Sequence, residues 1–335
     1  MNDDLLKRVK PWTSEEDGTL AETPIFRLNA RRAASQQSSK AGRYVYLDTV
    51  DWVNVVALTD DDHVVMIEQY RHGLELVTLE IPGGMVDEGE DPDAAGLREL
   101  EEETGYRGHG HERIGVVSPN PAIQNNWCHT VLVHEAAATG AMNLDESEEI
   151  AVRLVPLAEV DGLIQRGVIH HTMVVAAFHH LLIWRRQMDA LFDTAKKLAT
   201  AAHEGQTDKA GKPYITHPLR VANACADPRA RIVGVLHDAV EDTDVTLDHL
   251  REAGFPESIV EAVDAISQRD GEPREDYYTR VMANRLATLV KIADVTDNMD
   301  PTRIANPGPR DEARMQRYRK LLPRLRAAAT APPRT

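Results

Sequence analysis

Residues 84–106 read GMVDEGEDPDAAGLRELEEETGY, and this stretch decides how the first half of the chain is interpreted. Its second part predicts a helix on which Glu99 shares a face with Glu102 at i+3 and Glu103 at i+4. Like charges at this spacing destabilise an isolated helix by roughly 0.2–0.5 kcal/mol per pair. A hard divalent cation with oxygen ligands would offset the repulsion. A solvated acidic helix is the alternative, and the set positions of the surrounding residues count against it.

The acids belong to a longer pattern whose fixed positions are Gly84, Glu90, Arg98, Glu99, Leu100, Glu102, Glu103, Gly105 and Tyr106. This pattern resembles the Nudix box, the signature of hydrolases that cleave nucleoside diphosphates linked to a second moiety. The resemblance implies that Glu99 and Glu103 are the main Mg²⁺ ligands and that Glu102 adds to the cluster. A backbone carbonyl of Gly83 or Gly84 would complete the ligand set.

Two charged residues of the box have less direct roles in this interpretation. Arg98 is read as an orienting residue that holds the carboxylates from outside the ligand set. Glu90 is either a further ligand or a support for the turn that leads into the helix, and both readings stay open.

Outside the box, the phrases EQYR and LEIPGG resemble the ADP-ribose pyrophosphatase branch of the family. Arg71 would then contact a phosphate, for which its bidentate fork is suited; a surface arginine beside the sheet is the alternative. The acidic turn ESEEI at residues 146–150 offers a general base, Glu146, with Glu148 as the alternate. The loop SPNPAIQNN differs from the commonest loop of that branch, so the substrate is left open.

The first half alternates strand-like and helical patterns. RYVYLD, WVNVVAL, HVVMIEQY, ERIGVVS, CHTVLVHEA and AVRLVPL read as short strands, and the segments LAEVDGLIQRG and HTMVVAAFHHLLIWRRQ read as amphipathic helices. The pattern predicts an α/β/α sandwich with a mixed sheet over residues 1–187. No Gly/Ser/Pro linker follows, so we expect the next domain to abut it.

From about residue 189 only helical patterns remain, separated by Gly, Pro and Asp signals. The sequence therefore predicts an all-α domain over residues 188–328 and a disordered tail at 329–335.

This second half carries a mixed set of imidazoles and carboxylates. His217 stands in PYITHP, His237-Asp238 is followed by Glu241-Asp242, and Asp294 stands in KIADVTDN. His237, Asp238, Glu241 and Asp242 occupy positions i, i+1, i+4 and i+5, so they cluster on one side of a helix. Such nitrogen and oxygen ligands suit Mn²⁺, Fe²⁺ or Zn²⁺ better than Mg²⁺.

The ordered set resembles the HD phosphohydrolases, specifically the hydrolase domain of RelA/SpoT homologues and their small relatives. The resemblance implies that Mn²⁺ is bound by His217, His237, Asp238 and Asp294. It implies that Glu241 and Asp242 act on the nucleophilic water, and that guanosine tetra- or pentaphosphate loses its 3′-pyrophosphate.

The same resemblance assigns the nucleotide contacts. Asn298 would contact ribose or phosphate, and Lys209 would lie near the nucleotide. The arginine that usually precedes this lysine is here Asp208, so the contact with the base is in doubt. His203 is read as a packing residue in preference to a ligand.

Bulk properties limit the other possibilities. The chain has 335 residues, a net charge of −16 and two cysteines, Cys128 and Cys225. These features favour two domains, a reducing cytoplasm and small nucleotides rather than a nucleic-acid polymer as partners. No signal peptide or membrane span is apparent, and a homodimer is an expectation from the Nudix branch.

The sequence thus predicts a bifunctional nucleotide hydrolase with a Mg²⁺ site and a Mn²⁺ site. In a second interpretation the helical half acts on another nucleotide, such as NADPH. In a third, one of the domains is a non-catalytic nucleotide sensor.

Overall fold

The computed structural model describes residues 8–140, 142–144, 148–208, 211–300 and 308–331. The chain divides into two compact units, Met1–Leu181 and Leu182–Thr335. Each unit is considered by itself below.

The first unit contains the β-strands. They are β1 (Thr13–Glu22), β2 (Arg27–Ala34), β3 (Ala41–Asp48), β4 (Trp52–Ala57), β5 (His63–Arg71), β6 (Leu76–Glu80), β7 (Gly83–Met85), β8 (Tyr106–Arg107), β9 (Gly110–Val117), β10 (Cys128–His134), β11 (Ala137–Ala138) and β12 (Ile150–Pro156). They form four sheets, with orders β1-β2-β3, β7-β4-β10-β9, β11-β8 and β12-β5-β6. In the four-stranded sheet β4 and β10 are parallel and the outer pairs are antiparallel, so the predicted mixed sheet is confirmed.

The core of this unit lies where helix α1 (Pro92–Thr104) packs on β4 and β10. Nearly all residues of the two strands are buried, on both faces, and most of them are apolar. A side chain on Gly96 of the helix would come within 3.1 Å of Val53, so glycine permits the close approach. The packing fixes the helix against the strand that precedes the acidic motif.

The ends of α1 follow from local sequence. Asp91 caps its first turn, where the Asp91 carboxylate accepts from the backbone amide of Asp93 at 3.4 Å. Gly105 ends the helix in the left-handed region, at φ 69°, and donates to the carbonyl of Glu101. The last two glutamates of the motif are therefore held in the final turns of a well-defined helix.

Six of the strands given above do not follow from the sequence patterns: β1, β2, β6, β7 and the two-residue strands β8 and β11. The sequence of β1, TSEEDGTLAE, is charged, and nearly every residue in it is exposed. Its regular structure comes from pairing with β2 and not from an alternation of apolar and polar residues.

The second unit is helical in its described residues, which confirms the predicted fold class. Its helices are α4 (Thr216–Asn223), α5 (Pro228–Leu236), α6 (Ala239–Asp242), α7 (Leu247–Glu252), α8 (Glu257–Ile266), α9 (Arg274–Ala283), α10 (Arg285–Asn298) and α11 (Pro309–Thr330). Because α11 continues to Thr330, the tail predicted from 329 begins inside a helix.

Two helices connect these elements along the chain, α2 (Val160–Gln165) and α3 (Thr172–Ala202). The sequence patterns suggest two helices in the second of these ranges, whereas the structure has one helix of 31 residues. No Gly or Pro stands within it to end it early. None of the described helices has both the length and the apolar character needed to cross a bilayer.

Candidate active sites

The acidic site of the first unit is built where α1 faces β7. The Glu103 side chain is almost fully buried, with 3% exposure, and one of its carboxylate oxygens accepts from the backbone amide of Gly83 at 2.9 Å. Glu99 lies over Gly84, where an added Cβ would come within 2.4 Å of a Glu99 carboxylate oxygen. The two glycines thus let a strand and two glutamates meet.

This site concentrates negative charge out of water. Burial, together with the nearby carboxylates of Glu99 and Glu148, raises the pKa of Glu103 to about 8, although the amide of Gly83 opposes the shift. Burial also raises the pKa of Glu99, against the effect of Arg98. Two carboxylates that resist ionisation side by side are suited to share a divalent cation.

Arg98 joins the acids of the motif. Its Nε and Nη2 donate to the two carboxylate oxygens of Glu90, both at 3.1 Å. Its Nη1 donates to Glu99 at 2.9 Å and to Glu102 at 3.1 Å, and Nη2 also reaches the carbonyl of Met85. Because both oxygens of Glu90 face a guanidinium, this geometry favours the supporting role for Glu90 over a ligand role.

Arg71, the predicted phosphate contact, has its fork directed at a buried acid. Its Nε and Nη2 donate to the two oxygens of Glu80 at 2.9 and 2.8 Å, and Thr78 donates to the same carboxylate at 2.6 Å. Arg71 also lines a cavity of about 530 Å³, with Gly83 and Gly84 in its wall. A phosphate contact would use the part of the guanidinium that does not face Glu80.

The predicted general base Glu146 lies outside the described residues. Its alternate, Glu148, is described, and its carboxylate contributes to the raised pKa values of Glu99 and Glu103. Glu148 therefore interacts electrostatically with the acidic site, and its role as the general base stays a prediction.

In the second unit, three helices bring two imidazoles and a carboxylate together. One ligand atom from each of His217, His237 and Asp294 lies within 4.8 Å of the others, and all three residues are buried. His217 Nε2 lies 3.2 Å from an Asp294 oxygen, and His237 Nε2 lies 3.8 Å from the same oxygen. The predicted ligands of α4, α5 and α10 therefore converge.

Asp238 adjoins this group. Its two oxygens lie 3.2 Å from His237 Nε2 and 3.8 Å from His217 Nε2. The buried Nε2 of His237 makes no hydrogen bond with acceptable geometry among the described residues, and its Nδ1 lies 2.8 Å from the carbonyl of Gly234. An imidazole fixed on one nitrogen and unsatisfied on the other is suited to bind a metal ion.

The charges of this site are balanced internally. Burial lowers the pKa of His237, but the carboxylates of Asp238 and Asp294 outweigh it and raise this pKa to about 9. The pKa of His217 rises for similar reasons. Against the effect of burial, the ammonium of Lys291 and the two imidazoles hold the pKa of Asp294 well below its usual range.

Four residues that support this site are missed by the sequence interpretation. The hydroxyl of Tyr214 donates to Asp238 at 2.7 Å, and the ammonium of Lys291 lies 2.9 Å from Asp294. Asp297 lies 2.6 Å from His217 Nδ1, and Arg220 donates to Asp297 at 2.7 and 3.2 Å. Lys291 and Asp297 flank Asp294 at i−3 and i+3, which is the one sequence signal that could have found them.

The two acids that follow His237-Asp238 line the same cavity of about 430 Å³. Partial desolvation raises the pKa of both Glu241 and Asp242. Asp242 lies 3.4 Å from the hydroxyl of Tyr214, and Glu241 accepts from the backbone amide of Gln268 at 2.8 Å. The structure thus brings both acids to the edge of the ligand cluster.

Of the two predicted nucleotide contacts, one lies at the cavity of the second site and the other is outside the described residues. Asn298 lines the cavity but donates to Asp294 at 2.5 Å, so it holds a ligand as well. Lys209 lies outside the described residues, while Asp208 lines the cavity. His203 is buried with its ring 4.9 Å from that of Tyr214, which agrees with a packing role.

Comparison with known proteins finds a matching family model for a segment of each unit. The family described as NUDIX domain matches residues 49–178, and the family described as HD domain matches residues 195–329. An ADP-ribose pyrophosphatase of Bacillus subtilis is 32% identical over 130 residues, which are 38% of this chain and 70% of that protein. A methanol dehydrogenase activator of Bacillus methanolicus is 35% identical over 130 residues, with the same two shares.

The relatives of the second unit are much longer proteins. A guanosine-3′,5′-bis(diphosphate) 3′-pyrophosphohydrolase of Vibrio cholerae is 38% identical over 117 residues, which are 30% of this chain and only 16% of that protein. The similarity therefore concerns one domain and not the whole relative.

Proposed function

The chain belongs to the Nudix family through its first unit and carries an HD domain in its second, and on this premise we propose that it is a bifunctional nucleotide hydrolase. Both families are hydrolases that depend on divalent metal ions. The first site is proposed to cleave ADP-ribose or a related nucleoside diphosphate derivative. The second is proposed to remove the 3′-pyrophosphate of guanosine tetraphosphate. The binding partners of the whole protein would be small nucleotides.

One observation supports the proposal most directly: in each unit, side chains of the types that bind divalent metal ions lie close together. The first cluster is the pair Glu99 and Glu103 over Gly83-Gly84. The second is the trio His217, His237 and Asp294. Neither cluster lacks a residue type that its chemistry needs, which argues for catalysis at both sites over a purely sensory role for either.

At the first site the acids would hold Mg²⁺, which suits the all-oxygen donor set. When bound, the ion supplies charge neutralisation at the phosphoryl oxygens and a more acidic water. Arg98 orients Glu99 and Glu102, and the amide of Gly83 fixes Glu103. Glu148 or Glu146 would accept the proton of the attacking water, since Glu148 lies near the acids. The adjoining cavity of about 530 Å³ has room for a nucleoside.

At the second site His217, His237, Asp238 and Asp294 would hold Mn²⁺, in keeping with their mixed nitrogen and oxygen donors. When bound, the ion supplies an activated water and polarises the phosphoryl group. Asp297 holds His217 through Nδ1, which directs Nε2 at the cluster. Glu241 and Asp242 would orient the attacking water and accept its proton, because both reach the cavity beside the ligands.

Product analysis tests both activities on the intact chain. ADP-ribose and guanosine tetraphosphate are incubated separately with Mg²⁺ and with Mn²⁺, and the products are identified by ³¹P NMR. We expect AMP and ribose 5-phosphate from the first substrate, and GDP and pyrophosphate from the second. A panel that includes NADPH identifies a different substrate of the second unit. Tight nucleotide binding without turnover at one site, under every metal, would show that this unit is a sensor.

A further inference from the structure

The seven-residue loop 267–273, between α8 and α9, contributes a group to the second site that no side chain in the motif supplies. The backbone N–H of Gln268 donates to one oxygen of the Glu241 carboxylate at 2.8 Å. Among the described residues this is the hydrogen bond that holds Glu241. Glu241 and Gln268 both line the cavity of the second site, and the other carboxylate oxygen of Glu241 takes no part in this hydrogen bond.

The guanidinium of Arg280 contacts both ends of the loop. Arg280 donates through Nη2 to the carbonyl of Ser267 at 3.0 Å, and through Nη1 to the carbonyl of Asp264. Its Nε and Nη2 also donate to the two carboxylate oxygens of Glu272 at 3.1 and 2.6 Å. Arg280 therefore ties both ends of the loop to α9, which a planar fork can do and a lysine cannot.

Two further contacts fix the residues just before the amide. The hydroxyl of the buried Tyr277 donates to the carbonyl of Ile266 at 2.6 Å. The hydroxyl of Ser267 donates to the carbonyl of Val263 at 2.8 Å. With the carbonyls of Ile266 and Ser267 both held, the peptide N–H of Gln268 has a set direction.

The neighbouring acid, Asp242, is held by a longer hydrogen bond than Glu241. Asp242 has a longer contact, 3.4 Å, with the hydroxyl of Tyr214, and the same hydroxyl donates to Asp238 at 2.7 Å. Glu241 is thus the more firmly oriented of the two acids.

We propose that the backbone amide of Gln268 orients Glu241 toward the attacking water of the second site, and that Arg280 is a positioning residue that acts through this loop. The inference rests on the proposed hydrolase function of the second unit. A carboxylate fixed through one oxygen presents the other to the water without a search among rotamers, and this lowers the cost of reaching the reactive arrangement. The expected effect lies in turnover, because the loop contacts no metal ligand through a hydrogen bond that would set metal affinity.

A matched pair of substitutions isolates the amide. Gln268→Pro removes the N–H, whereas Gln268→Ala removes the side chain and keeps the N–H. Ser267 is extended, with φ −78° and ψ 119°, which is the backbone region that a following proline favours. The local chain can therefore accept proline at position 268 on the side of its predecessor.

The full-length variants are assayed with guanosine tetraphosphate and Mn²⁺, and Mn²⁺ binding is measured separately by electron paramagnetic resonance. Gln268→Pro is expected to lower kcat about 10- to 100-fold, since it removes a hydrogen bond to a charged group. Gln268→Ala keeps the N–H and is the reference for this loss, so kcat of the proline variant should lie about 10- to 100-fold below that of the alanine variant, with KM and Mn²⁺ affinity equal between the two within about twofold. Arg280→Lys should lower kcat about three- to tenfold, again without a change in Mn²⁺ affinity.

Several outcomes overturn the inference. Equal kcat for the proline and alanine variants would show that the amide has no role. A parallel loss of kcat and Mn²⁺ affinity would show that the loop only supports the metal site. If Gln268→Pro does not fold, as judged by circular dichroism, Arg280→Lys decides by the same kcat and affinity criteria. Inactivity of the unaltered protein on every nucleotide overturns instead the proposed function of the second unit.

Discussion

The two candidate sites collect their ligands in opposite ways. In the first unit the acids stand on one helix, α1, and meet a glycine pair only fifteen residues upstream of Glu99. In the second unit the ligands come from α4, from the end of α5 and from α10, over the span from His217 to Asp294. A site built on one helix is visible in one short phrase, whereas a site built on three helices depends on how the helices cross.

The sites also balance their charge differently. In the first site Glu90, Glu99 and Glu102 share the guanidinium of Arg98. Glu103 accepts from the amide of Gly83, and the charge of Arg71 also lowers its pKa. The carboxylates of the second site face two imidazoles and the ammonium of Lys291. A cluster of carboxylates therefore needs positive charge from outside the ligand set, whereas a mixed cluster has part of that positive charge on its own imidazoles.

Crossed substitutions should give the largest effect. Glu103→Gln removes a ligand charge at nearly constant volume, so we expect ADP-ribose hydrolysis to fall at least about 10³-fold. Hydrolysis of guanosine tetraphosphate should not change. Asp238→Asn should show the reverse pattern. The rate of product formation is measured for both substrates with each variant. Loss of both activities from one substitution would contradict independent sites.

Metal removal at different pH values should separate the sites further. The pKa of Glu103 is raised to about 8, so the folded protein binds this proton more tightly than the unfolded chain, where the ordinary value is 4.5. Without metal, stability from this group is present at low pH and is lost as the pH rises from about 4.5 to 8. Glu103→Gln should therefore stabilise the chelated protein at pH 8, by on the order of a few kcal/mol.

In the second site, the contribution of His237 to stability is lost over a higher pH range. Since the pKa of His237 is raised to about 9 from 6.5, its contribution is complete below about 6.5 and is lost as the pH rises through 9. Thermal unfolding in a chelator, followed from pH 5 to 9.5, measures both windows. A transition of Glu103→Gln that depends on pH between 5 and 8 as steeply as that of the unaltered protein would refute the first assignment.

A smaller effect is expected from the carboxylate behind His217. Asp297→Ala removes the acceptor that fixes Nδ1 and leaves Arg220 without the two hydrogen bonds it donates to Asp297. We expect Mn²⁺ affinity to weaken about 10- to 100-fold, with ADP-ribose hydrolysis unchanged. Asp244→Ala, at an exposed position in the same unit, serves as the control. Unchanged Mn²⁺ affinity in Asp297→Ala would argue that Asp297 has no part in holding His217.

The smallest effect should come from Arg98→Lys. A lysine keeps the charge but cannot reach Glu90, Glu99 and Glu102 at once, so Mg²⁺ affinity at the first site should fall about tenfold. Arg113→Lys is the matched control, because Arg113 pairs with the exposed acids Asp91 and Asp93 at the other end of α1. Arg113→Lys should change the Mg²⁺ affinity of the first site by less than about twofold. Equal effects of the two exchanges would remove the special role of Arg98.

Much of the fold could be predicted, because the periodicity of the apolar residues and the positions of Gly, Pro and Asp can be read directly from the sequence. The strands β4 and β10 read as apolar runs, and the helices of the second unit are separated by Gly, Pro and Asp. The metal-ligand roles themselves stay predictions that the proposed experiments test.

The missed features depend on contacts between distant segments. Asp297 reaches His217 only because α10 crosses α4, and no spacing of residues reports that crossing. The prediction for Arg71 as a phosphate contact omits its ion pair for a similar reason. Its partner Glu80 belongs to the adjacent strand β6, so the phrases EQYR and LEIPGG are joined by an ion pair that neither phrase reveals alone.

The 31-residue helix Thr172–Ala202 has a practical consequence for dissecting the molecule. Any cleavage point that separates the two compact units, at 181 or nearby, falls inside it. Each severed end would leave the backbone groups of about one turn without their partners within the helix. Fragments meant to report one activity each should therefore overlap, with both retaining this helix whole.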